Sequence, residues 1–134
     1  MREKDYTGAK QWTYSVLSSQ LTSELLKKAT KRKRPDYEEG DKRDSFPSGH
    51  TASAFSGATF IHKRYGLKQA IIPYTMAGFV GYSRVQAKRH HKTDVIAGAL
   101  ISSFYTWVFV DKENNNLSLT TDGESTKLEY KTNF

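Results

Sequence analysis

A chain of 134 residues is long enough to bury one hydrophobic core, so we expect a single domain. The absence of cysteine excludes disulfides, a thiolate nucleophile and cysteine metal ligands. The formal net charge of +7 favours anionic partners, which could be phosphate esters, nucleic acid or an acidic membrane surface.

The first residues, Met1 to Asp5, are charged and no apolar segment follows them, so no signal peptide is visible. Two uncharged stretches, 69–83 and 95–110, are shorter than the roughly 20 apolar residues that span a bilayer comfortably. Both stretches could be buried core helices or membrane-spanning helices. Their length favours core helices.

Hydrophobic periodicity and helix-breaking residues predict four helices within residues 1–110, which form the expected helical core. Their expected ranges are 8–33, 47–65, 67–82 and 93–110. Pro35 ends the first helix, because the residue before a proline is pushed out of the α region. Ser48 is a favoured N-cap for the second helix and Gly66 is a favoured terminator. The charged segment 36–45 is predicted to be a loop.

The tail, residues 111–134, has a different character from the core. Apolar and polar residues alternate over 117–120 and again over 127–134, and Asp122-Gly123 is a strong hairpin-turn signal. The sequence therefore predicts an all-α bundle followed by a small C-terminal β-hairpin that carries no obvious chemistry.

Lys27 and Arg34 form the first of three runs that could bind phosphate. They are seven residues apart, so on a continuous helix both would project from one face. Two cations on one stripe can hold two phosphate oxygens, and arginine can do so bidentately. The alternative is a solvated basic run, because residues 27–34 contain six basic side chains. For this run by itself, the solvated interpretation is favoured.

Pro47-Ser48-Gly49-His50 is the second run, at the point where a loop becomes a helix. Free N–H groups and the positive end of the helix dipole make such a point an anion site. Glycine permits close backbone approach, and serine adds a hydroxyl donor. His50 could pass a proton to a leaving group. A plain helix start with a surface histidine explains this run equally well.

The third run contains Arg84, His90 and Asp94. On one helix, Asp94 would accept a hydrogen bond from His90 and leave the other ring nitrogen free as a nucleophile. Arg84 and His90 would lie about 240° apart on an ideal helix, so the chain must bend between them if both reach one phosphate. The polar segment 86–89 could form that bend. On an unbroken helix, His91 would share the face of Arg84, and a solvated basic loop is the alternative.

Together the three runs resemble the signature of the type 2 phosphatidic acid phosphatase superfamily. That signature is Lys-x6-Arg-Pro, then Pro-Ser-Gly-His, then Ser-Arg-x5-His-x3-Asp. All three motifs occur here in order and without substitution, between Lys27 and Asp94. The family includes membrane lipid phosphatases, bacterial class A acid phosphatases, glucose-6-phosphatase and vanadium-dependent haloperoxidases. The resemblance implies the compact helical bundle of this family.

The resemblance also implies a role for each motif residue. His90 would attack phosphorus and form a phosphohistidine, with Asp94 orienting the imidazole. His50 would protonate the leaving alcohol and then activate water. The phosphoryl oxygens would be held by Lys27, Arg34, Ser48, Gly49, Ser83 and Arg84. The phosphatases of the family require no metal or other cofactor, and vanadate is expected to inhibit.

We therefore expect a metal-independent phosphomonoesterase that acts on a lipid phosphate, of the phosphatidate or polyprenyl phosphate type, or on a small phosphate ester. Two alternatives stay open: a vanadate-dependent haloperoxidase, and a non-catalytic basic module that binds anionic membrane or nucleic acid. The resemblance implies a bacterial, membrane-associated enzyme that faces the periplasm or another extracytoplasmic space, with no nucleic-acid partner. Membrane members of the family usually have more helices than this chain can hold, so we expect their N-terminal helices to be absent.

Overall fold

The computed structural model describes residues 6–112, 117–122 and 125–130. Its helices, in chain order, are α1 (Tyr6–Thr30), α2 (Gly49–Tyr65), α3 (Leu67–Gln86) and α4 (Lys92–Phe109). The predicted helical core is therefore confirmed. Two strands, β1 (Leu117–Asp122) and β2 (Ser125–Tyr130), pair antiparallel. The charged start at 1–5 and the predicted turn residue Gly123 lie outside the described residues.

Helix α2 occupies the centre of the helical body. It packs against α3 and α4, while α1 packs mainly against α4. The approach of α4 to the start of α2 depends on Gly98, because a Cβ at this position would overlap the carbonyl oxygen of Ser48. Gly81 of α3 is similarly confined, since a Cβ there would lie 2.7 Å from a methyl carbon of Val95. These glycines let three helices meet closely near the second motif.

The interior between the helices is built from small and hydroxyl-bearing residues. The Ser15 and Ser56 hydroxyls lie 3.4 and 3.3 Å from the Thr106 hydroxyl, and the Trp12 indole donates to Ser56 at 3.0 Å. Small side chains allow close helix approach, and several of their hydroxyls form hydrogen bonds with one another. The buried hydroxyl residues of the helices are Ser15, Ser19, Ser23, Thr51, Ser56, Thr59, Ser102 and Thr106.

Large apolar side chains point away from this interior. Leu21 on α1 is 65% exposed, Phe79 on α3 is 69% exposed and Leu100 on α4 is 67% exposed. The segments 69–83 and 95–110, for which core helices were favoured, therefore bury mainly their small residues. Over the ranges that the structure describes, no helix is both long enough and apolar enough to cross a membrane.

Candidate active site

The three sequence motifs meet at one end of the helical body. At this end α1 finishes, α2 begins, and the chain turns from α3 into α4. The Ser48 amide donates to the Asp94 carbonyl at 2.9 Å, which joins the second motif to the third. The Lys27 amine donates to the Pro47 carbonyl at 2.8 Å, which joins the first motif to the second. The fold therefore gathers the motifs into one cluster.

Lys27 and Arg34 reach this cluster by a route that differs from the prediction. Helix α1 ends at Thr30 and Lys31 has a φ of 44°, so the expected shared helical face does not exist and that prediction is wrong. Asp44 links the two cations instead. Its carbonyl accepts from the Lys27 amine at 2.7 Å, and its carboxylate accepts from the Arg34 guanidinium at 3.0 and 3.1 Å.

The amine of Lys27 is half-buried in this arrangement. Burial lowers the pKa of Lys27 below its ordinary value, and the charges of Asp44 and Glu24 partly oppose this shift. Both oxygens that the amine contacts belong to carbonyls, which can only accept hydrogen bonds. Lys27 is therefore held as a donor at the junction of the first two motifs.

The second motif forms the start of α2, as predicted. Ser48 is the N-cap, is fully buried, and accepts a bond from the Thr51 amide at 3.4 Å. Gly49 and His50 are exposed, and the first residues of a helix have N–H groups with no acceptor inside the helix. The space above Gly49 is open, since a Cβ there would meet nothing within 4 Å. An anion can therefore approach this helix end.

The predicted bend between Arg84 and His90 is present. Helix α3 ends at Gln86, Lys88 has a φ of 56°, and the Arg84 carbonyl accepts from the His90 amide at 3.3 Å. The Nε atom of Arg84 is buried and has no hydrogen-bond partner among the described residues. The Ser83 hydroxyl, in contrast, donates to the Val80 carbonyl of its own helix at 2.7 Å. Arg84 thus has an unused donor, whereas Ser83 has a partner.

His90 is only 4% exposed, and a carbonyl fixes the orientation of its ring. Its Nδ1 atom lies 2.8 Å from the Ser45 carbonyl oxygen. Because a carbonyl can only accept, Nδ1 must carry the hydrogen, which leaves the lone pair on Nε2. The predicted hydrogen bond from His90 to Asp94 is wrong, since Nδ1 lies 3.8 Å from Oδ2. The two residues are four apart in sequence, but they do not share a helix, because α4 begins at Lys92, after His90.

The electrostatic surroundings keep the His90 ring neutral. Burial lowers the pKa of His90 below its ordinary value of 6.5, and the positive charges of Arg34 and Lys27 lower it further. The hydrogen bond to the Ser45 carbonyl and the charge of Asp94 act in the opposite direction, but the net shift is downward. At neutral pH the imidazole therefore has a free lone pair.

Asp94 is fully buried in the first turn of α4, and three donors satisfy its carboxylate. Arg32 donates to Oδ1 at 3.0 Å, the His91 amide donates to Oδ2 at 2.8 Å, and the Ser45 hydroxyl also donates to Oδ2. Arg32 and Ser45 were not predicted to belong to the site. The basic run hides Arg32, and Ser45 is one serine in a polar loop, without a spacing signal.

His91 follows His90 in the sequence but occupies a different position. It is the residue before α4, and its Nε2 atom lies 3.0 Å from the Lys33 carbonyl. Its ring therefore contacts the loop after α1.

A cavity of about 540 Å³ lies between α1 and α2, next to the cluster. Lys27, Gly49 and His50 line it at the motif end, and Ser19, Val16 and Val80 contribute to its walls. A phosphate ester could therefore place its phosphate near the motif residues and its organic part between the helices. The structure describes no cluster of three or more His, Asp or Glu side chains suited to a metal ion, within the ranges it covers.

The sequence matches the PAP2 superfamily over residues 9–117, which is most of the chain and includes all three motifs. The chain belongs to the PAP2 superfamily. The resemblance noted from the motifs is therefore confirmed.

Several PAP2 relatives are phosphatases of lipids by name. The chain is 35% identical to a lipid A 1-phosphatase of Porphyromonas gingivalis, over 94% of this chain and 32% of that protein. It is 38% identical to a lipid A 4'-phosphatase of Helicobacter pylori, over 49% of this chain and 33% of that protein. It is 40% identical to lipid phosphate phosphatase 1 of Arabidopsis thaliana, over 53% of this chain and 25% of that protein. The chain thus spans about a third or less of these relatives.

A solved structure has a similar helical arrangement. The crystal structure of Aquifex aeolicus LpxE superposes with a TM-score of 0.70 at 28% identity, covering 78% of this chain and 68% of that one. The helical fold of the chain therefore resembles one already solved by crystallography.

Proposed function

We propose that this PAP2 chain supplies the active site of a phosphomonoesterase that hydrolyses a lipid phosphate through a phosphohistidine on His90. The observation that carries the proposal is the state of the His90 ring. Its Nδ1–H is fixed on the Ser45 carbonyl, and its lowered pKa keeps the ring neutral, so Nε2 has a lone pair. A neutral, oriented imidazole among cations is suited to attack on phosphorus.

In the first step, the Nε2 lone pair of His90 forms a bond to phosphorus and the bond from phosphorus to the ester oxygen breaks. His50 donates a proton to that oxygen, so the product leaves as an alcohol. In the second step, His50 takes a proton from water, whose oxygen attacks the phosphohistidine. The bond from phosphorus to nitrogen then breaks, phosphate leaves and His90 regains its lone pair. His50 lines the cavity at the start of α2, which suits this exchange with solvent.

Three cations and the start of α2 would hold the phosphoryl oxygens. Arg84 has a buried Nε without a partner among the described residues. Lys27 and Arg34 both contact Asp44, which holds the two cations near each other. The N–H groups of Gly49 and His50 add donors at the helix end. Ser48 contributes chiefly as the N-cap that shapes this end. The mechanism needs no metal, and vanadate, which mimics five-coordinate phosphorus, should inhibit competitively.

A lipid substrate and association with a membrane are part of the proposal. The relatives named above are lipid A phosphatases and a lipid phosphate phosphatase. Large apolar side chains also cover the outside of α1, α3 and α4, where they could contact acyl chains or further protein. The proposed active site faces the periplasm or another extracytoplasmic space. Phosphatidate and polyprenyl phosphate are both candidate substrates.

The test is phosphate release from p-nitrophenyl phosphate and from detergent-dispersed phosphatidate, with EDTA present. His90→Gln should abolish turnover. His62→Gln is the matched control, because His62 lies in the last turn of α2 and bonds to Tyr74. Equal turnover by wild type and His90→Gln would refute the phosphohistidine. Loss of activity with EDTA would refute the metal-free mechanism. If the wild-type protein is folded but inactive, the alternative of a basic binding module would be favoured.

A further inference from the structure

Arg32 makes three hydrogen bonds at the proposed active site, although it is not one of the motif residues. Its guanidinium donates to Oδ1 of Asp94 at 3.0 Å and to the hydroxyl of Thr93 at 2.6 Å. Its backbone carbonyl accepts from the amide of Ser45 at 3.0 Å. Arg32 therefore contacts both Asp94 and Ser45, the two residues that face the same ring nitrogen of His90.

These contacts form a closed triangle beside Nδ1 of His90. The Ser45 carbonyl oxygen lies 2.8 Å from Nδ1, and Oδ2 of Asp94 lies 3.8 Å from it. The Ser45 hydroxyl donates to the Asp94 carboxylate, which completes the triangle with Arg32. Loss of the Arg32 side chain would therefore disturb both groups that orient and influence the His90 ring.

Arg32 also supplies positive charge to Asp94. Three groups donate to the Asp94 carboxylate within the described ranges. Arg32 is charged, whereas the His91 amide and the Ser45 hydroxyl are neutral. The Asp94 side chain is fully buried, so water screens its charge poorly. Without Arg32, this negative charge would favour the protonated form of His90 more strongly.

The other cations at this end of the helical body have different partners. Arg34 is paired with the Asp44 carboxylate, and the Lys27 amine donates to two carbonyls. In the part of the chain that the structure describes, Arg32 is the cation that bonds to Asp94. The charged and titratable motif side chains that surround the site are Lys27 of α1, Arg34 of the following loop, His50 of α2, Arg84 of α3, and His90 and Asp94 at the start of α4.

From these contacts we infer that Arg32 is a positioning residue for the proposed reaction, which acts through Asp94 and Ser45 to keep the Nε2 lone pair of His90 available for attack. The inference rests on the proposed function and adds to it a residue outside the motifs. Arg32 differs from Arg34 and Arg84, because its role requires no contact with the phosphoryl oxygens.

The test measures kcat and KM of wild type, Arg32→Gln and Arg32→Lys over a range of pH, with p-nitrophenyl phosphate. Arg32→Gln should lower kcat roughly tenfold with little change in KM, as is usual for partners one step removed from a site. The pH below which its kcat/KM falls should rise by about half a unit or more, because Asp94 is no longer balanced. Arg32→Lys keeps the charge, so its pH profile should match that of wild type. A merely structural role would not move the pH profile.

Arg89→Gln is the matched control. Arg89 also links the loop after α1 to the chain before α4, through an ion pair with Asp36 at 3.3 Å. This pair does not include Asp94. The control should therefore keep the kcat and the pH profile of wild type. If Arg32→Gln and Arg89→Gln changed both quantities equally, loss of a link between the two segments would explain the effect and the inference would be wrong.

A second pair of variants avoids an unpaired buried charge. Arg32→Gln should be less stable than wild type, because it leaves Asp94 buried without its cation. Arg32→Gln/Asp94→Asn has no such charge, and its kcat should equal that of Asp94→Asn, since Arg32 acts through Asp94. A further tenfold loss in the double variant would mean that Arg32 acts directly on the substrate, which would overturn the inference even if Arg32→Gln did not fold.

A measurement without turnover separates the inference from the proposed function. Nitrogen-15 NMR of the imidazole rings follows the titration of His90, and His90→Gln identifies its signal among the four histidines. The titration midpoint should be higher in Arg32→Gln than in wild type and Arg89→Gln. If wild type hydrolyses p-nitrophenyl phosphate but the midpoint and the pH profile of Arg32→Gln match those of wild type, the inference fails and the proposed function stands. If wild type hydrolyses nothing but the midpoint rises in Arg32→Gln, the proposed function fails and the effect of Arg32 on His90 stands.

Discussion

The carbonyl oxygen of Ser45 accepts the hydrogen bond of the His90 imidazole, with 2.8 Å between oxygen and Nδ1. The hydroxyl of the same serine donates to the Asp94 carboxylate. Ser45 therefore connects the proposed nucleophile to the buried carboxylate, which lies 3.8 Å from Nδ1 and makes no direct hydrogen bond to it. Asp94 acts on His90 through its charge and through the position of Ser45.

Replacing Ser45 by alanine tests this connection. Ser45→Ala keeps the carbonyl that orients His90 and removes the hydroxyl that donates to Asp94. We expect kcat to fall roughly 10- to 100-fold, as is usual for partners one step removed from a site, with little change in KM. Ser102→Ala removes a buried hydroxyl that bonds only within α4, and it should leave kcat unchanged. Equal kcat in wild type and Ser45→Ala would show that the Ser45 carbonyl alone is enough to orient His90, and that the hydroxyl is not needed.

Asp94→Asn should lower kcat by roughly two to four orders of magnitude, because the negative charge beside His90 is lost. It should also reduce stability, since Arg32 then faces a neutral amide. The double variant Ser45→Ala/Asp94→Asn should be little slower than Asp94→Asn, because both changes break the same connection. Steady-state kinetics of the four proteins measure this coupling. Strictly multiplicative losses would mean that Ser45 and Asp94 act independently.

The motif residues and the helix order could be predicted from the sequence, because residue type, spacing, Ser48 and Gly66 all give local signals. The shared face of Lys27 and Arg34 and the hydrogen bond from His90 to Asp94 were predicted wrongly, because a helix was assumed where the chain turns. Lys31, with a positive φ, separates Lys27 from Arg34, and His90 precedes α4. Neither turn contains a glycine that would have indicated it. The contacts of Ser45 come from tertiary packing, which spacing along the chain does not encode.

The composition of the interior could not be predicted from the sequence, for a physical reason. Apolar periodicity identified the helices, but it does not say which side of a helix faces its neighbours. Here small residues such as Ser15 and Ala70 are buried, while Leu21 and Leu100 are exposed. This distribution reflects close packing between helices instead of burial of large side chains.

The lowered pKa of His90 predicts how activity and stability depend on pH. The nucleophile must be neutral, so kcat/KM should stay high until the pH falls below the ordinary histidine value of 6.5. Stability should depend on pH as well, because folded His90 binds its proton less readily than unfolded His90. The contribution of neutral His90 to the free energy of unfolding is therefore complete above pH 6.5 and is lost as the pH falls through the lowered pKa. Urea unfolding between pH 8 and pH 5 measures the free energies of unfolding of wild type and His90→Gln, and the difference between them should disappear toward acid pH. A difference that stays constant with pH would contradict the lowered pKa.

Arg84→Lys tests whether the unused donor of Arg84 serves the substrate. Lysine keeps the charge but cannot form the two parallel hydrogen bonds of a guanidinium. We expect kcat/KM to fall at least tenfold, with weaker inhibition by vanadate. Arg89→Lys is the control, because Arg89 is exposed and pairs with Asp36 at 3.3 Å. If wild type, Arg84→Lys and Arg89→Lys had similar inhibition constants for vanadate, Arg84 would not belong to the proposed oxyanion site.

Gly98→Ala tests the contact between α4 and the second motif. The new methyl group would overlap the Ser48 carbonyl, and α4 must move to make room. We expect the free energy of unfolding to fall by about 1–3 kcal/mol. Because α4 carries Asp94, kcat should fall as well.

Gly78→Ala is the matched control. Gly78 lies inside α3, and a Cβ there would have open space around it, so the substitution should raise stability by about 0.5–1 kcal/mol through helix propensity. Urea unfolding and phosphate release of both variants measure the two effects. If Gly98→Ala were as stable and active as Gly78→Ala, the close approach of α4 to Ser48 would not be required for the site.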